Sequence, residues 1–284
     1  MFCPPSLAAR IDRAEARLCA GIADHFRHNV PDQQSFVMPF SGGLAVYAAQ
    51  DSPTNKVIGA GFDGPVEESA VARIENEFAK RAARLQMEIS TLADTSLHSS
   101  LAARGFLANG FENVLGHPLS HVEPAVEGVK VQPAVEHELS TFADVLVNAF
   151  ASPDIGGVGG DEIPPSDEIR KWVLITMSLP GFRGYLARIG EQIAGAASLR
   201  FDTGVAQFSG AGTLPQFRRR GVQTALLRAR LRDAAHSGCD VGVVVTQPAS
   251  RSQQNAQREG FSLLYARQLW VKDFSAQKRP SENQ

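Results

Sequence analysis

The stretch GAGTLPQFRRRGVQTALLRARL, residues 210–231, decides how this chain is read. After Gly221, the apolar residues Val222, Ala225, Leu226 and Ala229 recur near helical spacing and predict an amphipathic helix. Arg218, Arg219 and Arg220 stand directly before it. Cations there are unfavourable for a helix alone. The free N–H groups and the macrodipole make that end partly positive, at a cost of roughly 0.3–1 kcal/mol per cation. A bound anion reverses the sign. Open N–H groups, Gly221 and guanidinium donors together form a cradle for a phosphate or pyrophosphate. A solvated basic turn is the alternative reading of the same three arginines. Upstream, Val205–Gly212 reads as a strand that runs into Thr213-Leu214-Pro215, where the proline removes a donor and stops strand pairing. The backbone of 211–213 is then left for an extended ligand whose phosphates meet the helix start. The stretch is not a P-loop, because no Gly-Lys-Ser/Thr follows, and it lacks the GxGxxG dinucleotide fingerprint.

Around this stretch, strands are predicted at about 183–189, 192–200 and 204–213 and a helix over about 220–237. A strand at about 240–246, a helix at about 250–258 and a last strand at about 261–272 follow. Before them, Leu139–Phe150 reads as a helix, and SPDIGGVGGDEIPP (152–165) as a glycine-rich loop. Ser166 is expected to cap a further helix, with Glu168 in its first turn. Part of this pattern occurs twice. EISTLADTSLHSSLAARGF (88–106) and VVVTQPASRSQQNAQREGF (243–261) both read as a strand ending in Thr, a short polar helix and Gly-Phe opening another strand. Thr91 to Gly105 and Thr246 to Gly260 each span 14 residues, and the copies lie 155 residues apart. The first copy begins with a helix over 5–26, then strands at about 35–40, 44–50 and 56–62 and a helix at about 66–83. Pro118, Pro124 and Gly128 punctuate the join, before a strand within VKVQPAV (129–135). The division expected is therefore a domain at 1–122, a second at 127–273, and a polar tail at 274–284.

Composition bounds the function. The chain has 284 residues, 43% of them hydrophobic, enough for a packed core and consistent with about two domains of roughly 150 residues. With 28 basic against 30 acidic side chains, bulk nucleic-acid or polybasic membrane binding is not expected, although a local basic patch is. No apolar run reaches the roughly 18 residues needed to span a bilayer, and the N-terminus has no signal-peptide pattern. Cys3, Cys19 and Cys239 are odd in number and far apart, which fits a reducing cytoplasm without a disulfide framework or a metal site.

TLPQFRRRGVQTALL resembles the acetyl-CoA motif of the GNAT superfamily of N-acetyltransferases, a strand end and Pro followed by Arg/Gln-x-x-Gly-x-Gly/Ala and a helix. Arg218 and Gly221 match its first two fixed positions, and Gln223 departs from the third. Residues 240–261 resemble the next family motif, and the resemblance covers about 129–273. Together with the repeat, it implies two tandem domains of mixed α/β class, each a mostly antiparallel central sheet flanked by helices. It also implies that backbone atoms of Ala211, Gly212 and Thr213 bind pantetheine and that the N–H groups of Arg219, Arg220, Gly221, Val222, Gln223 and Thr224 bind pyrophosphate. Ser250 and Asn255 are further candidate cofactor contacts; helix capping for Ser250 and surface polarity for Asn255 are the other readings. The positions 155 residues before 218–223 are Asp63, Gly64, Pro65, Val66, Glu67 and Glu68. The first copy is accordingly expected to be degenerate, without a cofactor.

The chemistry the resemblance implies is direct attack of an amine on the acetyl thioester of acetyl-CoA, without a metal. The acceptor is a small-molecule or peptide amine, and neither its identity nor the oligomeric state is written in the sequence. Many members of the superfamily place a tyrosine four residues before the Gly of Gly-Phe, where this chain has Ala256. No catalytic residue is assigned. Asp154, Asp161 and Glu162 lie in the glycine-rich loop, His137 and His236 suit solvated helix faces, and Tyr265 suits either core or site. Two classes remain: an acetyl-CoA-dependent N-acetyltransferase, and a non-catalytic acyl-CoA-binding or sensor protein to which Ala256 points.

Overall fold

The computed structural model describes residues 1–30, 34–152 and 165–275. In chain order the elements are α1 (Pro5–Asn29), β1 (Phe36–Phe40), β2 (Gly43–Tyr47), β3 (Lys56–Ile58), α2 (Glu68–Lys80), β4 (Arg84–Ser90), α3 (Ser96–Ala103) and β5 (Leu107–Pro118). The chain continues through β6 (Lys130–Pro133), α4 (Leu139–Phe150), α5 (Ser166–Met177), β7 (Phe182–Ile189) and β8 (Gln192–Asp202). It ends with β9 (Val205–Thr213), α6 (Val222–His236), β10 (Val241–Thr246), α7 (Arg251–Arg258) and β11 (Ser262–Asp273). No helix among the described residues is long and apolar enough to cross a membrane.

The class is mixed α and β with mostly antiparallel strands. The chain divides into two units, and the division cuts through β5 and β11. Phe2–Asn113 groups with the chain from Leu264 onward, and Val114–Leu263 forms the other unit. A sequence division at 122–127 leaves β11 with the second domain, whereas most of that strand packs with the first. Arg267–Asp273 pairs antiparallel with Ser90–Arg84.

In the N-terminal unit the strands run β1-β2-β3-β4-β11, with β3 and β4 the parallel pair. Val71, Ile74 and Phe78 of α2, at helical spacing, bury beside Leu85, Met87 and Ile89 of β4. Two strands are shorter than their apolar runs predict. β2 stops at Tyr47 because the Asn55 side chain takes over the ladder, accepting from the Ala48 N–H at 2.8 Å and donating to the Ala49 carbonyl at 2.6 Å. β3 stops at Ile58 because Gly59 and Gly61, both at positive φ, turn the chain.

This unit also buries a charge network. Arg267 is fully buried and donates to Asp12 Oδ1 at 2.7 Å, to Glu15 Oε2 at 2.6 Å and, more loosely, to Glu88 Oε2 at 3.4 Å. Lys56 Nζ donates to Glu15 at 2.8 Å and Glu88 at 2.9 Å. Glu112 completes it, with Oε2 at 3.8 Å from Arg267 and without a hydrogen bond. Arg267 and Lys56 hold Glu15 down at about 2. Burial and the neighbouring Glu88 push Glu112 up to about 7.

In the C-terminal unit the strands run β10-β9-β8-β7-β6, and β9 and β10 are parallel. Val222, Leu226 and Leu231 of α6 pack on Tyr185, Ala194, Leu199 and Phe208 of the sheet. Phe142 and Leu146 of α4 pack on Leu186 and Ala196. α5 starts at Ser166 with Pro165 as its cap residue, so Ser166 does not cap the helix as expected. The Pro165 carbonyl accepts from the Glu168 and Ile169 N–H groups, and Asp167 and Glu168 sit in the first turn.

Candidate functional site

Strand pairing positions the site. β9 and β10 pair only over Val205–Phe208 and Val241–Val244, yet β9 continues to Thr213 and β10 to Thr246. Beyond Phe208 the two strands part. On its other edge β9 carries a bulge: Ala197 pairs with Ala211 and Ser198 with Ser209, so Gly210, at φ +45°, is the extra residue. The gap opens into a cleft of about 550 Å³. Its β9 wall is Phe208–Ala211, and its α6 wall is Gln223, Leu227 and Arg230, every third or fourth residue from the helix start. α7 supplies Arg251, Ser252, Asn255 and Ala256.

At the open end lies the start of α6. Gly221 is its cap residue, at φ +76°, where an added Cβ would also come within 3.0 Å of Val126 Cγ1. No side chain caps the helix and its first turn holds no acidic residue. The ladder begins with Ala225 N–H donating to the Gly221 carbonyl, so the N–H groups of Val222, Gln223 and Thr224 precede it. Among the arginines, Arg218 donates to the Ser152 carbonyl. Arg219 is exposed with left-handed backbone, and the exposed Arg220 lies 5.6 Å over the Phe217 ring.

Of the residues expected from sequence, Ala211, Gln223 and Asn255 line the cleft. Gly212 and Thr213 continue β9, and the segment from Arg218 to Thr224 forms the helix start. Ser250 accepts from the Gln253 N–H at 3.2 Å, so it caps α7. Tyr265 belongs to the N-terminal unit, where its buried hydroxyl donates to Asp12 at 2.5 Å; it is core and not part of this cleft. His137 and His236 are exposed. Asp154, Asp161 and Glu162 lie outside the described residues. Sequence reading missed Phe150, Phe208 and above all Arg230. Its signal was there: Arg230 falls four residues after Leu226, on the helix face that should be aliphatic.

The residues fit a coenzyme A thioester. The helix start offers N–H groups without an acidic competitor, and β9 offers edge backbone beyond Phe208. The hydroxyls of Thr213 and Thr246, at the ends of the two parted strands, are buried without hydrogen-bond partners. Each is an orphan that a polar chain entering the gap satisfies.

Comparisons with known proteins agree with this geometry. Residues 148–261 match the model of the acetyltransferase (GNAT) family. A GCN5-related N-acetyltransferase from Kribbella flavida superposes with a TM-score of 0.65 at 16% identity, over 94% of this chain and 95% of that one. Another, from Sphaerobacter thermophilus, gives 0.59 at 15% identity over 100% and 96%. A tandem GNAT protein from the clavulanic acid biosynthesis pathway gives 0.57 at 14% identity over 87% and 83%. At such identities the likeness is one of fold. No curated protein matches by sequence. The cleft between the parted strands lies within residues 148–261, the segment that matches the model of the acetyltransferase (GNAT) family.

Proposed function

We propose that the C-terminal unit is an acetyl-CoA-dependent N-acetyltransferase acting on a primary amine of a small molecule or peptide. The observation that carries this reading is the parted pair β9/β10 opening toward an uncapped helix start preceded by arginines. In this reading the N–H groups of Val222, Gln223 and Thr224 hold the pyrophosphate, and Arg219 and Arg220 add charge from solvent. The backbone of Ala211–Thr213 pairs with the pantetheine arm, which places the thioester toward Phe208. Holding the two reactants in line supplies much of the rate acceleration. The amine nitrogen attacks the thioester carbon, the C–S bond breaks, and the nitrogen loses a proton.

The N-terminal unit is proposed to be a related domain that has lost the cofactor. One observation favours the second reading, a non-catalytic acyl-CoA sensor: Ala256 lines the cleft without a hydroxyl to protonate sulfur. Incubation with acetyl-CoA and a panel of amines, read by mass, separates the two. Acetylated product that disappears in Gly221→Glu supports the enzyme. Tight coenzyme A binding with no product from any amine supports the sensor.

A further inference from the structure

Arg230 is buried, at 2% exposure, and lines the cleft. Its Nε donates to the Leu226 carbonyl at 3.1 Å, and its Nη1 to the Ser198 carbonyl at 2.9 Å and more loosely to Ser209 at 3.4 Å. The guanidinium lies 4.9 Å over the Phe208 ring. All of these partners are neutral. Asp233, three residues further along α6, is bonded by Arg183 and the Tyr185 hydroxyl. Tyr185 is the titratable group whose field reaches it, and burial pulls the guanidinium down to about 9, still protonated at neutral pH. Across the cleft, Arg251 is exposed at the start of α7. A buried cation without a counter-charge is costly, and neutral donors could serve three carbonyls as well. A charge in this place is useful when an anion forms beside it.

Where that anion forms follows from the order of residues along the cleft, on the reading that the ligand is an acyl-CoA. Gln223, Leu227 and Arg230 run inward from the helix start, and the strands close at Phe208 and Val244. With phosphates at the helix start, the reactive end of the ligand lies at Arg230, where Ala256 offers no acid. We propose that Arg230 stabilises the negative charge that develops on the coenzyme A sulfur as the acyl group leaves. As the amine nitrogen forms its bond to the acyl carbon, the C–S electron pair moves to sulfur. The resulting thiolate rests against the guanidinium, and the amine proton passes to water. Arg230 gives up no proton; it acts as a fixed charge aimed at the leaving atom.

Coenzyme A itself carries the leaving group as a free thiol, so the step is readable without an acceptor. The full chain is titrated with coenzyme A and with desulfo-coenzyme A at pH values from 6 to about 8.5, where most of the Arg230 guanidinium stays protonated. Coenzyme A is expected to gain affinity over the desulfo analogue as pH rises, with the bound thiol titrating about one unit or more below the free thiol. Arg230→Gln keeps an amide donor for the carbonyls and is expected to return the thiol to its free value. Arg230→Lys is expected to retain part of the shift, and Arg251→Gln all of it. An unshifted thiol in the parent protein overturns the proposal, whatever the variants do. A shift that survives in folded Arg230→Gln overturns it too. If neither ligand binds, the acyl-CoA reading itself has failed and the proposal falls with it.

Discussion

Arg267 in the N-terminal unit and Arg230 in the C-terminal unit are both buried arginines, and their surroundings differ in kind. Arg267 faces Asp12, Glu15, Glu88 and Glu112, so with Lys56 two cations meet four carboxylates. Arg230 meets backbone carbonyls and an aromatic ring. Charge met by opposite charge on this scale ties α1, β3, β4 and β11 together. A charge bonded only by neutral groups at the end of a cleft marks a place where chemistry supplies the missing anion. The starts of α2 and α6 differ in the same sense. α2 starts with Glu67 as its cap residue and Glu68 in its first turn, and Asp63 before it accepts from Arg13 at 2.6 Å. These carboxylates satisfy the helix dipole without a ligand. α6 starts with Gly221 and no acid, and its dipole is left for a ligand.

The largest expected effect follows from the charge contrast. Arg267→Gln leaves buried carboxylates without their cation and should destabilise the protein by about 3–5 kcal/mol in denaturant unfolding. Arg230→Gln, whose acceptors are all neutral, should cost about 1–3 kcal/mol. Equal losses would erase the distinction. A smaller effect lies in the pH dependence of the N-terminal unit. Glu112, raised from its ordinary 4.5 to about 7, binds a proton more readily when folded, so stability falls as pH rises between those values. The loss is at most about 3 kcal/mol, and less because the side chain is 26% exposed. Glu15, lowered from 4.5 to about 2, contributes stability that is present above 4.5 and lost as pH falls toward 2. Glu112→Gln should therefore melt above the parent protein at pH 8, and a lower melting temperature there would reverse the sign assigned to this residue. The smallest effect is in the cleft. Asn255→Ala should weaken coenzyme A by about threefold to tenfold, one ordinary hydrogen bond, in a calorimetric titration.

Much of the C-terminal fold was legible because its signals are local. The apolar spacing of Val222, Leu226 and their neighbours placed α6, and Gly190 and Pro215 marked turns. The arginine-glycine helix start was legible because it contradicts the dipole rule. The shortened β2 and β3 were not, because Asn55 acts through its side chain and no apolar pattern records it. The placement of β11 was hidden as well. Its alternation is that of any strand, and the partners of Arg267 lie at Asp12, Glu15 and Glu88, far away in sequence. Arg230 does not stand out in the sequence because Arg228 and Arg232 on either side suit an exposed helix.

In the proposed function, cofactor binding belongs to the start of α6 and not to the start of α2. Calorimetric titration of the full chain with coenzyme A tests it, with Gly221→Glu set beside Val66→Glu, the position 155 residues earlier. One site per chain is expected, abolished by Gly221→Glu in a protein of unchanged circular dichroism and untouched by Val66→Glu. Two sites, or full affinity in Gly221→Glu, would contradict it.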